Sequence, residues 1–468
     1  MTDPPEIEEL IAELTRTIAE RDSIDAGAAA GGSELRALLD RQSAILEDTI
    51  EMRRALDRIQ STFSWRALET LRRQRLAARR IVMAGRGLRG RWRSRSKPAF
   101  LRRKPMGVNV AGYLNTESGM GEAARLSVLS LQAAGIPVAL NNVTSRLRME
   151  DGTYNSFSDD NPHAFNLVHL NADNMEWFAR GRGREYFRNR YTIGYWFWEL
   201  AQFRDDWMSA FGYVDEVWVP TEFGRKALSP HSSVPVTCMP LPVVAPTTLA
   251  YRRSHFDLPD DVYVFLFTFD VSSQLERKNP LGIISAFRAA FGARRDVVLV
   301  LKFTNSEYDP RGVRELYRAA EGVNAVLREG YMARAELAGL MAVSDSYISL
   351  HRSEGFGLGI AEAMALGKPV IATRYSGPAD FLTEANSYPV DYRLVTIPRD
   401  YGPYLEGFSW AEPDSDQASR MMRHVVDDRD ESTARGRRAA ADIGNLRSPD
   451  RTGALVRKRL ESIWQSSG

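Results

Sequence analysis

A stretch around residue 355 does most to limit how this chain can fold. Residues 347–372 read YISLHRSEGFGLGIAEAMALGKPVIA. The apolar run Tyr347–Leu350 has the composition of a buried strand, and Gly355 and Gly357 punctuate a turn. Ile360–Leu366 has helical composition and stops at Gly367. Lys368-Pro369 then leads into a second apolar run, Val370–Ala372. Strand, glycine turn, helix and strand make a βαβ unit, which belongs in a mainly parallel sheet covered by helices.

The same alternation occurs in two halves of the chain. In the first, strands are expected at Val108–Tyr113, Val138–Asn142, Phe165–Leu170, Tyr191–Trp196 and Glu216–Val219. A helix from Glu122 to Ala134 has Gly135 as its stop, and Thr221 caps another. In the second, strands are expected at Val262–Phe267, Val297–Lys302, Ala325–Leu327, Tyr347–Leu350 and Val370–Ala372. Helices fall near Leu281–Ala290, Arg311–Ala320 and Arg334–Val343. Pro240–Ala250 reads as the joint. With 468 residues there is room for two such domains and more.

Charge separates the N-terminal hundred residues from the rest. Residues 1–60 hold fourteen Asp/Glu against seven Arg, whereas residues 65–104 hold fifteen Arg/Lys against Glu69 alone. Within residues 34–63, Leu38, Gln42, Ile45, Thr49, Met52, Leu56, Ile59 and Phe63 follow the four-three spacing of a coiled coil with two polar seam positions. A homo-oligomer through 38–63 and a solitary amphipathic helix are both compatible with it. The basic segment 65–104 mixes Arg with Trp65, Leu68, Leu71 and Trp92, a composition that suits nucleic acid and an anionic membrane surface alike, with a solvated tether as the plain alternative. Cys238 is the sole cysteine, which excludes an intrachain disulfide and a cysteine-based metal site. No apolar run approaches eighteen residues, so a cytoplasmic protein is expected, peripheral at the inner face of the membrane if the basic segment binds there.

The turn at 354–358 suits a ligand that carries phosphate and hydroxyl groups. Backbone N–H groups at a helix N-terminus receive a pyrophosphate. Glu354 is placed to accept from sugar hydroxyls, and Glu362 from a vicinal pair such as a ribose presents. An ordinary βαβ turn with solvated carboxylates would look similar if only the glycines were present, because a lone Gly-x-Gly is weak. The whole string from Ser353 to Pro378, however, resembles the signature of retaining GT4-type glycosyltransferases (glycosyl transferases group 1, GT-B fold). Ser64-Trp65-Arg66 similarly resembles a linker found ahead of bacterial polysaccharide glycosyltransferase domains.

That resemblance implies an α/β GT-B fold, with two Rossmann-like domains facing across a cleft behind an N-terminal helical or coiled-coil extension. The corresponding divisions are 1–63 for the extension, 64–105 for the basic linker, 106–245 for the acceptor domain, 246–440 for the donor domain, and 441–468 for a C-terminal helix returning to the first domain. It implies transfer of a hexose, with mannose from GDP-mannose as the first candidate, to a glycan or lipid-linked acceptor in cell-surface polysaccharide synthesis. No metal or other cofactor is expected.

Carried over position by position, the resemblance names Gly119 and Gly121 in a glycine-rich first loop. It names Lys278 for the diphosphate, and Ser353, Phe356, Gly357, Leu358 and Glu362 around the donor. The family's Arg five residues before that Lys is absent, since Ser273 stands there, and Arg277 is the candidate to replace it. Adjacency suggests that Arg277 and Lys278 point differently. For catalysis the candidates are Glu354, His169 and Glu199, although many relatives have a His where this chain has Trp196.

Other readings fit less well. A dinucleotide fold wants a third Gly where Ala124 lies and an acid where Asn141-Asn142 lie. A glycosidase holds two acids about 5–10 Å apart across the bond, and eight residues separate Glu354 from Glu362. Asp159-Asp160 and Asp205-Asp206 lack the context of a metal motif. A non-catalytic scaffold of a polysaccharide-assembly complex is supported by the Arg missing at Ser273 and opposed by Lys278, Glu354 and Glu362.

Overall fold

The computed structural model describes residues 98–144, 151–247 and 250–466. The coiled-coil seam, and the basic segment up to residue 97, lie outside the described residues.

Two six-stranded parallel sheets organise the structure. The first runs in the order β2-β1-β3-β4-β5-β6 and comprises β1 Val108–Gly112, β2 Val138–Asn142, β3 Phe165–Val168, β4 Tyr191–Tyr195, β5 Glu216–Val219 and β6 Val236–Cys238. Val110 pairs with Leu140 on one side and Leu167 on the other. Every residue of β1, β3 and β5 is buried. Helices cover both faces of such a sheet, which is why these strands read as continuous apolar runs.

The second sheet runs β12-β11-β10-β7-β8-β9, with β7 Tyr263–Asp270, β8 Val297–Thr304, β9 Ala325–Glu329, β10 Ser346–Ser349, β11 Val370–Thr373 and β12 Tyr388–Val390. Its core is dense with rings: Phe267 stacks on Phe269 at 5.1 Å, and Phe269 on Phe303 at 5.3 Å.

Strand order fixes where a ligand belongs. In the first sheet the chain builds β1 and β2 outward, then returns past β1 to lay down β3. In the second it builds β7, β8 and β9 outward, then returns to lay β10 on the other side of β7. The loops after the strands diverge at each reversal and leave a crevice at the carboxyl ends of β1/β3 and of β7/β10.

Several elements escape a reading by periodicity. The Ala172–Phe187 helix contains two glycines and is interrupted at Gly183, where φ is 71°. The hairpin of β13 Tyr392–Thr396 and β14 Ser409–Pro413 is outside both main sheets, and β13 is largely exposed. The Ser415–Asp427 and Arg429–Arg447 helices follow it.

The final helix, Pro449–Gln465, packs on the first domain's Gly119–Ala133 helix. Ser130 Oγ and Thr452 Oγ1 are 2.7 Å apart. Gly453 permits that approach, since a Cβ there would fall 2.4 Å from the Ser130 carbonyl oxygen. Arg459 adds an ion pair to the buried Glu216 at 2.8 Å.

Candidate active site

The two crevices open onto one cavity of about 550 Å³. From the first domain, Ser118 and Gly119 follow β1 and Asn171 follows β3. From the second, Ser273, Arg277 and Lys278 follow β7, and Glu354 to Ile360 follow β10.

Charge concentrates where the second domain's loops meet. Lys278 Nζ lies 2.5 Å from Glu354 Oε1, and Arg277 Nη1 lies 3.2 Å from Glu354 Oε2. Neighbouring cationic side chains thus converge on one carboxylate, where adjacency had suggested divergence. The cause is the shape of the Leu275–Lys278 segment. It is a single helical turn, entered through Gln274 at φ 71° and left through Asn279 at φ 55°. Arg277 is also held from beneath, donating to the Ser353 carbonyl at 2.7 Å and to the Ser273 carbonyl at 3.1 Å. Burial alone would raise the Glu354 carboxyl, but Lys278 and Arg277 outweigh it and hold it at about 2.

Behind Glu354 the backbone turns into a helix N-terminus. Gly357, at φ 85°, begins the Leu358–Ala365 helix, and its left-handed conformation is one that glycine adopts without strain. The helix starts at Leu358, so Glu354 lies on a non-helical approach rather than on the helix. Glycine is also required at Gly359, where a Cβ would fall 2.6 Å from the Tyr347 hydroxyl.

Other expected residues divide between the cavity and its support. Gly119, Ser273, Phe356, Gly357 and Leu358 line the cavity. Gly121 is a packing residue of the first helix: a Cβ there would meet the Thr116 and Tyr113 carbonyls at 2.3 and 2.6 Å. Ser353 is buried and donates its hydroxyl to the Glu199 carbonyl, tying the second domain to the first. Glu362 lies one turn into the helix, 3.5 Å from Arg334, whose other nitrogen reaches Glu122 of the first domain at 2.7 Å. Burial pushes the Glu362 carboxyl up to about 7 against the pull of Arg334.

The two first-domain candidates differ in position. Glu199 lines the cavity. His169 is fully buried, stacked on Tyr195 at 4.6 Å, and not part of the cavity wall. Burial lowers its imidazole to about 3, and neither ring nitrogen has a hydrogen-bond partner. A strand-end position brings a residue near the crevice, but the pleat turns this side chain into the packing.

The structure also brings in residues that sequence reasoning did not single out. Asn171 Oδ1 accepts from the Phe197 N–H at 2.8 Å and fixes the aromatic segment beside the cavity. Tyr347 and Thr268 hydroxyls, 2.9 Å apart, line its floor. Pro403 and Tyr404 form a further wall from the turn between β13 and β14. Arg334, immediately after Met332-Ala333, had no motif to mark it.

Residues 258–441 match the family described as glycosyl transferases group 1. No protein of curated function matches the chain by sequence. Among solved structures, the HepE protein of Anabaena, crystallised with UDP and glucose, is 12% identical with a TM-score of 0.55, covering 76% of this chain and 100% of that one. Sucrose-phosphate synthase of Thermosynechococcus elongatus is 13% identical with a TM-score of 0.57, covering 77% and 100%. A glycosyltransferase of Rickettsia africae is 13% identical with a TM-score of 0.55, covering 77% and 98%. Likeness at these identities is a likeness of fold.

Proposed function

We propose that this chain, which has the two-domain GT-B architecture, is a glycosyltransferase, and we propose its donor class, stereochemical outcome and residue roles. It transfers a hexose from a nucleoside diphosphate sugar to a hydroxyl of a glycan or lipid-linked acceptor, with retention at the anomeric carbon, as a GT4-type enzyme does. The observation that carries this reading is the convergence of Lys278 and Arg277 on Glu354 beside the N-terminus of the Leu358–Ala365 helix.

Two cations beside a helix terminus are what a departing diphosphate needs. In the transfer, the bond from C1 to the β-phosphate oxygen breaks and its electron pair goes to the diphosphate. The acceptor oxygen bonds to C1, and its proton passes to the departing phosphate. Arg277 and Lys278 stabilise the charge that develops on the leaving group. Gly119 gives backbone access from the facing domain, since nothing lies within 4 Å of the place a Cβ would take. Glu354, fixed by both cations, accepts from donor-sugar hydroxyls and holds C1 in place. Glu199, from the other wall, is the carboxylate that faces the positive charge developing at C1. Glu362 accepts from the ribose. With cationic side chains stabilising the leaving group, transfer is expected to proceed in the presence of a chelator.

The sequence reading names GDP-mannose, and the HepE crystal holds UDP and glucose. A panel of UDP- and GDP-hexoses, read by thermal shift and by NMR of the product's anomeric proton, tests the proposal. A bound donor at about a hundred times its Kd stabilises by about 2.7 kcal/mol, and the product should keep the donor's anomeric configuration. No shift with any nucleotide, together with no transfer, would favour a non-catalytic scaffold. An inverted product would overturn the GT4-type reading alone.

A further inference from the structure

We propose that Arg352 is a positioning residue that holds the Leu275–Lys278 turn in the shape that brings Arg277 and Lys278 together at the diphosphate. The inference rests on the diphosphate role given to those two cations above.

The turn cannot keep that shape by itself. Four residues are too few for a helix that stands alone. Its entry and exit, Gln274 and Asn279, are left-handed without being glycine. Its carbonyls also run short of helical partners. The Glu276 carbonyl would accept from residue 280 in a continuing helix, but that residue is Pro280 and has no N–H. Arg352 Nη1 donates to it instead, at 2.7 Å. The Arg277 carbonyl accepts from the Arg352 N–H at 2.8 Å. Beyond the turn, Asn279 Nδ2 donates to the Leu350 carbonyl at 2.8 Å. The segment that precedes Glu354 thus supplies what the turn lacks, and the Arg352 side chain is its charged part.

Arg352 is itself fixed by β14. Its Nε and Nη2 clasp the Glu412 carboxylate at 2.8 and 3.3 Å, and its carbonyl accepts from the Ala411 N–H at 2.9 Å. Its guanidinium lies 5.6 Å from the centroid of the Trp410 ring, a cation–π arrangement. The hairpin of β13 and β14 springs from the second domain but packs on the first. Ile397, Tyr404 and Trp410 are buried in a core cluster whose other buried members are first-domain residues, Trp196, Trp198 and Phe203 among them. Arg204 donates to the Pro403 carbonyl at 3.0 Å, and the Ser409 N–H to Gln202 Oε1 at 3.4 Å. Arg352 therefore fastens the turn to an element anchored on the opposite domain. Arg277 and Lys278 line the cavity and Arg352 does not, so it acts through them rather than on a ligand.

The test is calorimetric titration of the full chain with UDP against UMP and GDP against GMP. The parent is compared with Arg352→Met, Glu412→Gln and Lys278→Met. Arg352→Met removes the side-chain donors and keeps the backbone bond to the Arg277 carbonyl. Its Kd for the nucleoside diphosphate that the parent binds should rise about tenfold, on the order of one charge-assisted hydrogen bond, while Kd for the monophosphate changes less than about twofold. A merely structural role would weaken both nucleotides alike. Glu412→Gln loosens the clasp and should lower the preference for diphosphate about threefold, as for one partly solvated ion pair. Equal losses for both nucleotides in Arg352→Met, or no loss, overturn the inference. A parental preference in Glu412→Gln overturns it too, and decides the matter even if Arg352→Met does not fold. A parent that binds diphosphate no better than monophosphate, or a Lys278→Met chain that keeps the parental preference, overturns the diphosphate role of the cations and this inference with it.

Discussion

Glu354 is the counter-ion of the buried Arg277 and the half-buried Lys278, and its substitution acts on stability and activity together. Its carboxyl is held far below the usual range, so its stabilisation is present above the ordinary glutamate pKa and is lost as pH falls towards 2. Glu354→Gln leaves the buried Arg277 and the half-buried Lys278 without that charge and should cost about 3 kcal/mol at pH 7. The deficit in Tm should narrow between about pH 5 and pH 3. If the variant is soluble and folded, kcat should fall by more than KM changes. Glu362 behaves in the opposite sense. Its carboxyl is raised to about 7, and the proposed bidentate hold on a ribose uses the ionised form. Nucleoside diphosphate affinity should therefore rise about tenfold from pH 6 to pH 8, and Glu362→Gln should abolish that slope. A calorimetric titration across pH checks both.

The sequence made these two carboxylates legible because they sit inside a long string of matching residues. It could not resolve Arg277, where a departure from the family pattern had to be judged without knowing the path of the backbone. The left-handed Gln274 and Asn279 that bend that turn carry no glycine signal.

At the scale of elements, apolar periodicity located the strands that are buried on both faces and the helices between them. It missed the β13–β14 hairpin, whose strands neither alternate cleanly nor join a main sheet. Residues 397–408, rich in Gly, Pro and aromatics, look like a loop in sequence and become a cavity wall through docking on another domain. Arg334, at the start of the Arg334–Val343 helix, is a second case. Its contact with Glu122 crosses the cleft, and a cross-domain partner leaves no trace in local spacing. Because Arg334 is more than a third exposed, Arg334→Ala should cost at most about 1 kcal/mol of stability. It should nevertheless weaken nucleotide binding at pH 7, since without that cation Glu362 is harder to ionise. Raising the pH to about 8.5 should restore most of the affinity, which separates this effect from loss of the fold.

For the whole molecule, the two strand-order reversals are the reason that one cavity receives loops from both domains. Ser353 to Glu199, Arg334 to Glu122 and the β13–β14 hairpin all cross that cleft, so the cavity is completed by both domains. In the sequence, the basic segment 65–104 follows a stretch of heptad spacing at 38–63. Attachment to an anionic membrane is proposed for residues 65–104, at about 1 kcal/mol per Lys or Arg near the surface. Among the described residues no helix is long and apolar enough to cross a membrane. The full chain should sediment with phosphatidylserine-containing vesicles at low salt and be released at high salt, while a chain starting at Pro105 should stay in solution. Sedimentation of neither would make the basic arm a soluble tether.

The central claim is that a nucleoside diphosphate sugar binds between the two domains with its diphosphate on Lys278 and its ribose on Glu362. Calorimetric titration of UDP and GDP into the parent, Lys278→Met and Glu362→Ala chains tests it most directly. One nucleotide should bind the parent at one site per chain, and each variant should lose affinity by tenfold or more, on the order of one charge-assisted hydrogen bond. Binding of equal strength to all three chains, or to none of them, would contradict it.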